Sequence, residues 1–367
     1  MNLERVIISG GGTGGHIFPA IAIADEIKSK YPKANLLFIG AQGKMEMEKV
    51  PAAGYKIVGL DIRGFQRKLT LSNFLLPFKI VSSLIQARKI IKKFKPQVVI
   101  GVGGYASGPT LQMASLLGIP TLLQEQNSYP GKTNRILAKK AQAICVAYEN
   151  LESVFDKKKL HLTGNPVRLS AIPTDNIRAE ARKNLGLNPD LPTFFIMGGS
   201  LGAKTLNESM LNNIDSIESS GYQLLWQVGK FYINGIDEKL KPMNLKNIHY
   251  TAFIQDMADA YRAADVIVSR AGALSVSELC LVGKPVILVP SPNVAEDHQT
   301  KNAMALVNKN AAILVKDSAA REALINSMMK LIANEKEQAT LSENILKLGK
   351  RNATKDILNV IESIVRP

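Results

Sequence analysis

Short apolar runs recur along this chain, and each ends in a cluster of glycine and polar residues. Val6-Ile7-Ile8 is the first, followed by Asn35-Leu36-Leu37-Phe38-Ile39, Val98-Val99-Ile100 and Thr121-Leu122-Leu123. The second half holds Thr193-Phe194-Phe195-Ile196-Met197, Val266-Ile267-Val268 and Val286-Ile287-Leu288-Val289. Runs this short, rich in β-branched and aromatic residues, predict strands buried on both faces. Between them the apolar positions take helical spacing, as in residues 20–27. Strands alternating with helices in this way predict an α/β protein built on doubly wound parallel sheets.

The plan occurs twice. Residues 97–109 run from a strand into a glycine-rich turn; a helix, Gly118-Ile119-Pro120, a strand and a polar loop with Thr133-Asn134-Arg135 follow. Residues 264–278 repeat the strand and turn, and Gly283-Lys284-Pro285, a strand and His298-Gln299-Thr300-Lys301-Asn302 follow. Two domains of similar plan account for this, and 367 residues suit two cores. Their site-bearing ends are expected to face each other across a cleft. The turn Gly164-Asn165-Pro166-Val167-Arg168 sets the boundary, with an N-terminal domain over 1–165 and a C-terminal domain over 166–340. A last amphipathic helix, within 341–367 and running from Leu341 to Val365, is expected to pack back on the N-terminal domain.

Two of the glycine turns carry candidate chemistry. Ser9-Gly10-Gly11-Gly12-Thr13-Gly14-Gly15-His16 links a strand to a helix, and Gly198-Gly199-Ser200-Leu201-Gly202-Ala203 does the same in the second half. Such loops bring backbone N–H groups to an anion at the positive end of a helix dipole. A nicotinamide dinucleotide would need a carboxylate at the end of the second strand, and Gly40-Ala41-Gln42-Gly43 has none. Neither glycine stretch ends in Gly-Lys-Ser/Thr, which argues against ATP chemistry, and no cluster has metal-ligand spacing. His16, Glu125, Arg168, Arg270 and Glu278 are the charged candidates. That set fits displacement of a diphosphate: a base takes a proton from an acceptor hydroxyl while N–H donors and an arginine hold the leaving group. Glu125 and Asn127 are candidates because they follow a strand at its carboxyl end.

Charge adds a surface. Residues 1–165 hold 23 basic against 10 acidic residues, and 166–367 hold 23 against 21. Residues 56–95 concentrate the excess around Phe74, Leu75 and Phe78, flanked by Arg63, Arg67, Lys68, Lys79, Arg88 and Lys89. An apolar patch with a basic rim suits docking on an anionic bilayer. No run approaches the length of a membrane span, and no signal peptide opens the sequence, so a cytoplasmic compartment is expected. Cys145 and Cys280 sit in apolar surroundings and read as buried small hydrophobes.

Six motifs occur in order: Gly11-Gly12-Thr13-Gly14-Gly15-His16 with Pro19, Gly103-Gly104-Tyr105-x-Ser107-Gly108-Pro109, Glu125-Gln126-Asn127, Gly164-Asn165-Pro166-Val167-Arg168, Gly198-Gly199-Ser200-x-Gly202-Ala203, and Ser269-Arg270-x-Gly272-Ala273 with Ser277-Glu278. Over essentially its whole length the chain resembles the MurG family of bacterial peptidoglycan glycosyltransferases. The resemblance implies a GT-B fold of two Rossmann-like domains, with acceptor on the first and nucleotide sugar on the second. It implies inverting transfer, without metal or other cofactor, of N-acetylglucosamine from UDP-N-acetylglucosamine to undecaprenyl-pyrophosphoryl-N-acetylmuramyl-pentapeptide. His16 and Glu125 are the catalytic candidates. Thr13, Gly14, Gly15 and Asn127 would lie by the donor, and Tyr105 and Asn134 would also bind substrate. Arg168 and Ser200 would hold the nucleotide, the backbone at Ile254 would read the uracil, and Arg270 would lie beside them. Ala273, Leu274, Ser275 and Glu278 would wrap the nucleoside, with Glu278 on the ribose and Gln299 on the sugar. Where the family often has a second glutamine, this chain has Thr300. The family also implies a place on the inner face of the plasma membrane and no nucleic-acid partner. A nucleotide-sugar epimerase would share the fold but leave the basic patch without a use. A non-enzymatic binding module would leave the glycine loops without one.

Overall fold

The computed structural model describes residues 2–62, 76–173, 175 and 177–365. In chain order the first half gives β1 (Arg5–Ser9), α1 (Gly14–Lys30), β2 (Asn35–Ala41), α2 (Glu46–Ala52), β3 (Lys56–Leu60), α3 (Leu76–Phe94), β4 (Val98–Gly101), α4 (Ser107–Leu116), β5 (Thr121–Glu125), α5 (Lys132–Ala138), β6 (Ala143–Val146) and β7 (Leu160–Leu162). The second half gives α6 (Arg178–Asn184), β8 (Thr193–Met197), α7 (Lys204–Leu211), α8 (Ile214–Glu218), β9 (Gln223–Gln227), α9 (Ile233–Leu240), β10 (Ile248–Thr251), α10 (Met257–Ala263), β11 (Val266–Ser269), α11 (Ala273–Val282), β12 (Val286–Leu288), α12 (His298–Val307), β13 (Ile313–Leu314), α13 (Ala320–Ile332), α14 (Glu335–Leu346) and α15 (Ala353–Ile364). Contacts divide the chain into Met1–Val167 with Asn352–Pro367, and Arg168–Arg351.

In the first unit the strand order is β3-β2-β1-β4-β5-β6-β7, and every pair is parallel. The order reverses between β1 and β4, which leaves a crevice at their carboxyl ends, where such sheets take ligands. One face of the sheet is covered by α1, which buries Ile17, Ala20, Ile23, Ala24 and Ile27 at helical spacing. The other face holds Ala87 and Ile91 of α3, Leu111 and Ala114 of α4, and Leu137 and Ala138 of α5. Cys145 is buried in the core and free, and so is Cys280 in the second unit.

The second unit repeats the plan with order β10-β9-β8-β11-β12-β13, all parallel, reversing between β8 and β11. Behind its sheet, Asp265 accepts from the guanidinium groups of Arg178 and Arg182 and from Thr193 N–H (2.6 Å). The neighbouring Lys284 is pushed down to about 8, chiefly by burial.

The helix expected from Leu341 to Val365 is in fact two. Leu341 of α14 enters the core of the second unit, and Ile345 of the same helix is fully buried. Ile357, Leu358 and Ile361 of α15 enter the core of the first, beside α1. Tyr31 Oη donates to Glu362 Oε1 (2.7 Å), and Lys30 pairs with the same carboxylate (2.7 Å). The break includes Gly349, where a Cβ would lie 2.9 Å from the Cys280 carbonyl oxygen, so only glycine fits without a shift.

Candidate active site

The first donors of the glycine loop after β1 are taken by neighbouring elements. Gly10 N–H donates to Ile39 O (3.3 Å), Gly11 N–H to Gly103 O (3.3 Å), and Gly12 N–H to Glu46 Oε2 (2.8 Å). Glu46 is 1% exposed, and its other oxygen accepts from Ala41 N–H (3.0 Å). A carboxylate does follow the second strand, then, but it is turned into the loop and fills the place where a dinucleotide phosphate would need these amides. What remains is the start of α1: His16 N–H donates to Thr13 O (3.1 Å), and the N–H groups of Thr13, Gly14 and Gly15 come too early in the helix for an intrahelical acceptor. Thr13 and Gly15 there are exposed and Gly14 is half-buried.

His16 stands at that turn, half-buried, with Nδ1 3.1 Å from Gly11 O and 3.3 Å from Thr13 Oγ1. A carbonyl oxygen only accepts, so Nδ1 is the donor in the contact with Gly11 O. The ring lies against the turn after β4: a Cβ on Gly103 would sit 2.8 Å from His16 Cδ2 and Nε2. Tyr105, two residues on, is 50% exposed.

The loop after β5 is built around Glu125. This carboxylate is 2% exposed and accepts from Asn127 N–H (3.0 Å), Asn127 Nδ2 (3.3 Å), Gly131 N–H (3.1 Å) and Asn134 Nδ2 (2.9 Å). Four donors on a buried carboxylate leave its two oxygens committed to this loop. In this structure Glu125 and the buried Asn134 brace the loop that carries the half-buried Asn127. Gln126 ties this loop to the previous one through Nε2 and Val102 O (2.9 Å).

In the second unit Ser200 is exposed in the loop after β8. That loop packs on the next: a Cβ on Gly229 would sit 2.1 Å from Gly202 N. Ile254 is buried; its N–H lies 3.4 Å from Gln227 Oε1. With Leu225, Tyr250 and Phe253 it lines a groove of about 570 Å³ along the edge strand β10. The first turns of α11 place Ala273, Leu274, Ser275 and Glu278 beside the reversal point. Burial pushes the Glu278 carboxyl up to about 7, against the opposing effects of the Tyr261 hydroxyl, which donates to Oε2 (3.3 Å), and of the Arg168 guanidinium. Arg168 is otherwise exposed.

Three second-half candidates are already engaged. Arg270 is bound to Asp317 and to the carbonyls of Val289 (3.0 Å) and Pro290 (3.3 Å), so it ties strand ends together instead of reaching out. Gln299 Oε1 accepts from Ser291 N–H (2.8 Å), which leaves its amide nitrogen for a ligand. Thr300 Oγ1 donates to Asp297 Oδ1 (2.7 Å), an interaction at the start of α12. Glu46, Tyr261 and Asp317 are absent from the sequence-based candidates. Each acts on a candidate from another element, and no local spacing marks it.

Of the basic apolar patch, Arg63, Arg67, Lys68, Phe74 and Leu75 lie outside the described residues. On α3, Phe78, Val81 and Ile85 share one exposed face and line a groove of about 650 Å³ with Lys89. Ala87 and Ile91, on the opposite face, are the buried ones. Among the described residues no helix is long and apolar enough to cross a membrane.

Comparison with known proteins bears on both units. The glycosyltransferase family 28 N-terminal domain matches residues 6–146, and the family's C-terminal domain matches residues 193–359. The UDP-N-acetylglucosamine–N-acetylmuramyl-(pentapeptide) pyrophosphoryl-undecaprenol N-acetylglucosamine transferase of Phocaeicola vulgatus is 56% identical over 358 residues, 97% of this chain and 94% of that relative. The crystal structure of Acinetobacter baumannii MurG is similar with a TM-score of 0.80 and 31% identity, over 98% of this chain and 99% of that one. A UDP-GlcNAc 2-epimerase from Neisseria meningitidis reaches a TM-score of 0.67 at 15% identity, over 98% of this chain and 100% of that one, and shares the fold alone. With two parallel α/β units of this kind, the chain has the expected GT-B fold.

Proposed function

We propose a specific activity for this chain, which belongs to glycosyltransferase family 28. It moves N-acetylglucosamine from UDP-N-acetylglucosamine to undecaprenyl-pyrophosphoryl-N-acetylmuramyl-pentapeptide, lipid I to lipid II, with inversion at the anomeric carbon. It thereby serves cell-wall synthesis, and through it cell shape and division. The observation that carries the reading is the 56% identity, over 97% of the chain, with a transferase of that name.

The reading implies a direct displacement. His16 Nε2 takes the proton of the acceptor hydroxyl as its oxygen bonds to the anomeric carbon, and the bond to the diphosphate breaks with its electron pair leaving on UDP. The N–H groups at Thr13, Gly14 and Gly15, with Arg168 and Ser200, stabilise the charge that develops on the diphosphate. Glu278 accepts from the ribose hydroxyls, Ile254 meets the uracil through its backbone, and Asn127 and the Gln299 amide contact the sugar. Glu125, Asn134 and Arg270 hold the loops that carry these groups.

The enzyme works as a peripheral protein on the cytoplasmic face of the inner membrane. Phe78, Val81 and Ile85 insert their apolar side chains while Arg88 and Lys89 meet anionic headgroups. Transfer of labelled N-acetylglucosamine from UDP to a lipid-linked muramyl acceptor, with the product anomer determined, tests the activity. No transfer, or a retained anomer, refutes it. Flotation with anionic and zwitterionic liposomes tests the membrane reading, and equal recovery with both refutes that.

A further inference from the structure

We propose that Tyr261 is a positioning residue for donor binding, its buried hydroxyl holding the Glu278 carboxylate in the orientation that accepts the ribose. This rests on the reading of Glu278 as the ribose contact. Tyr261 lies on α10, fully buried, with its ring edge-on to Phe195 at a centroid distance of 5.9 Å. Its hydroxyl has two neighbours, Glu278 Oε2 at 3.3 Å and Met197 Sδ at 3.6 Å. A thioether is a weak acceptor, so the carboxylate is the partner that satisfies this buried donor. One oxygen of Glu278 is therefore fixed from behind by a rigid aromatic side chain, and the other is left for the ligand.

Two ionisable groups act on Glu278, the Tyr261 phenol from α10 and the Arg168 guanidinium; none on α12 or α14, which also pack against α11, is among them. Burial raises the Glu278 carboxyl to about 7, and the Tyr261 bond works against that rise. The same contact, with burial, raises the Tyr261 phenol well above its usual range, so it stays a donor throughout neutral pH. The carboxylate form accepts ribose hydroxyls better than the acid, so donor affinity should climb as pH rises through about 7. Loss of the tyrosine hydroxyl removes a bond to the ionised form and moves that climb to higher pH.

The test measures UDP-N-acetylglucosamine affinity by calorimetry between pH 6 and 9 for wild type, Tyr261→Phe, Met197→Leu and Glu278→Gln. The diphosphate of this ligand does not titrate in that range. Tyr261→Phe keeps the ring and its packing, and is expected to weaken binding about 3–10-fold at neutral pH. Its midpoint should rise by roughly half a unit to one unit, with kcat at saturating donor unchanged. Met197→Leu is expected to keep the wild-type midpoint. A Tyr261→Phe profile that overlays wild type overturns the proposal, and so does a Met197→Leu shift equal to that of Tyr261→Phe, which would make the effect one of packing. Glu278→Gln should bind more weakly and without the pH-dependent climb. If it binds as wild type does, the ribose reading itself fails, whatever Tyr261→Phe shows.

Discussion

Gly103→Ala tests whether the His16 ring must sit where the structure puts it. Gly103 has φ +96°, and an alanine Cβ there would lie 2.8 Å from two atoms of the imidazole. Ordinary van der Waals contact begins near 3.4 Å, so the ring must withdraw by more than half an ångström. Its Nδ1 is held by Gly11 O at 3.1 Å, so withdrawal rotates the ring about that bond and swings Nε2 away from its position. A misplacement of about 1 Å at a reacting atom costs roughly 10²-fold, so turnover should fall about 10- to 100-fold with donor affinity nearly unchanged. The positive φ adds on the order of 1–2 kcal/mol of instability. Gly54→Ala separates the two effects. Gly54 has φ +85° in the same unit, and an added Cβ there meets nothing within 4 Å. It should lose a similar amount of stability and keep its turnover. The assay is steady-state transfer at saturating donor, with melting temperature measured on the same samples. If Gly103→Ala turns over as fast as Gly54→Ala, the position of the His16 ring does not matter to the chemistry.

Glu125→Gln removes a charge that four donors share, and its new NH₂ group must face one of them. It should cost about 1–3 kcal/mol of stability and raise the donor KM through Asn127, whereas a pure loss of kcat with full stability would return Glu125 to the role of base. Asp265→Asn leaves Arg178, Arg182 and Lys284 without their carboxylate and should destabilise the fold by roughly 3–5 kcal/mol in thermal unfolding, with a loss under 1 kcal/mol refuting it. Glu278 binds its proton more tightly folded, near 7, than unfolded, near 4.5, so over that window the folded state holds more protons and stability falls as pH rises. Glu278→Gln should remove this part of the fall in melting temperature between pH 5 and 8, and an unchanged slope would contradict it. Replacing Phe78, Val81 and Ile85 with serine should reduce recovery on anionic liposomes and leave transfer to a soluble acceptor intact, since these side chains are exposed; loss of folding would count against the surface reading.

Where a residue acts through its own backbone or its own strand, its role was legible in the sequence. The apolar runs marked the strands because a strand covered on both faces has no polar side to show. The two glycine stretches marked the turns because positive φ and close approach exclude a Cβ, as at Gly104 against the Gly11 carbonyl oxygen (2.4 Å). Long-range partners were not legible. Arg270 looked like a free cation because Asp317 lies 47 positions away, and Glu125 looked like a base because Gly131 and Asn134 reach back to it only when folded. The last helix was misjudged for a related reason. A single amphipathic pattern over 341–365 hid a change of core, and the break between α14 and α15 holds Gly349, where an added Cβ would press on the Cys280 carbonyl.

The buried and half-buried ionic groups near both reversal points do one thing in common. Glu46 and Glu125 in the first unit, and the Arg270–Asp317 pair in the second, each bind backbone or side-chain groups of a ligand-end loop. A loop that must present bare N–H groups to a diphosphate cannot satisfy itself by secondary structure there. It would otherwise relax toward a turn that closes those donors on its own carbonyls. A buried charge can prevent this, because leaving it unpaired costs more than the turn would gain. Glu46 takes Gly12 N–H and thereby keeps Thr13 in its extended conformation (φ −145°), from which α1 starts. The helix then begins with open donors at Gly14 and Gly15 and with His16 already on the crevice side. The placement of the His16 turn thus follows from a carboxylate on another element, and the glycines supply the room for it.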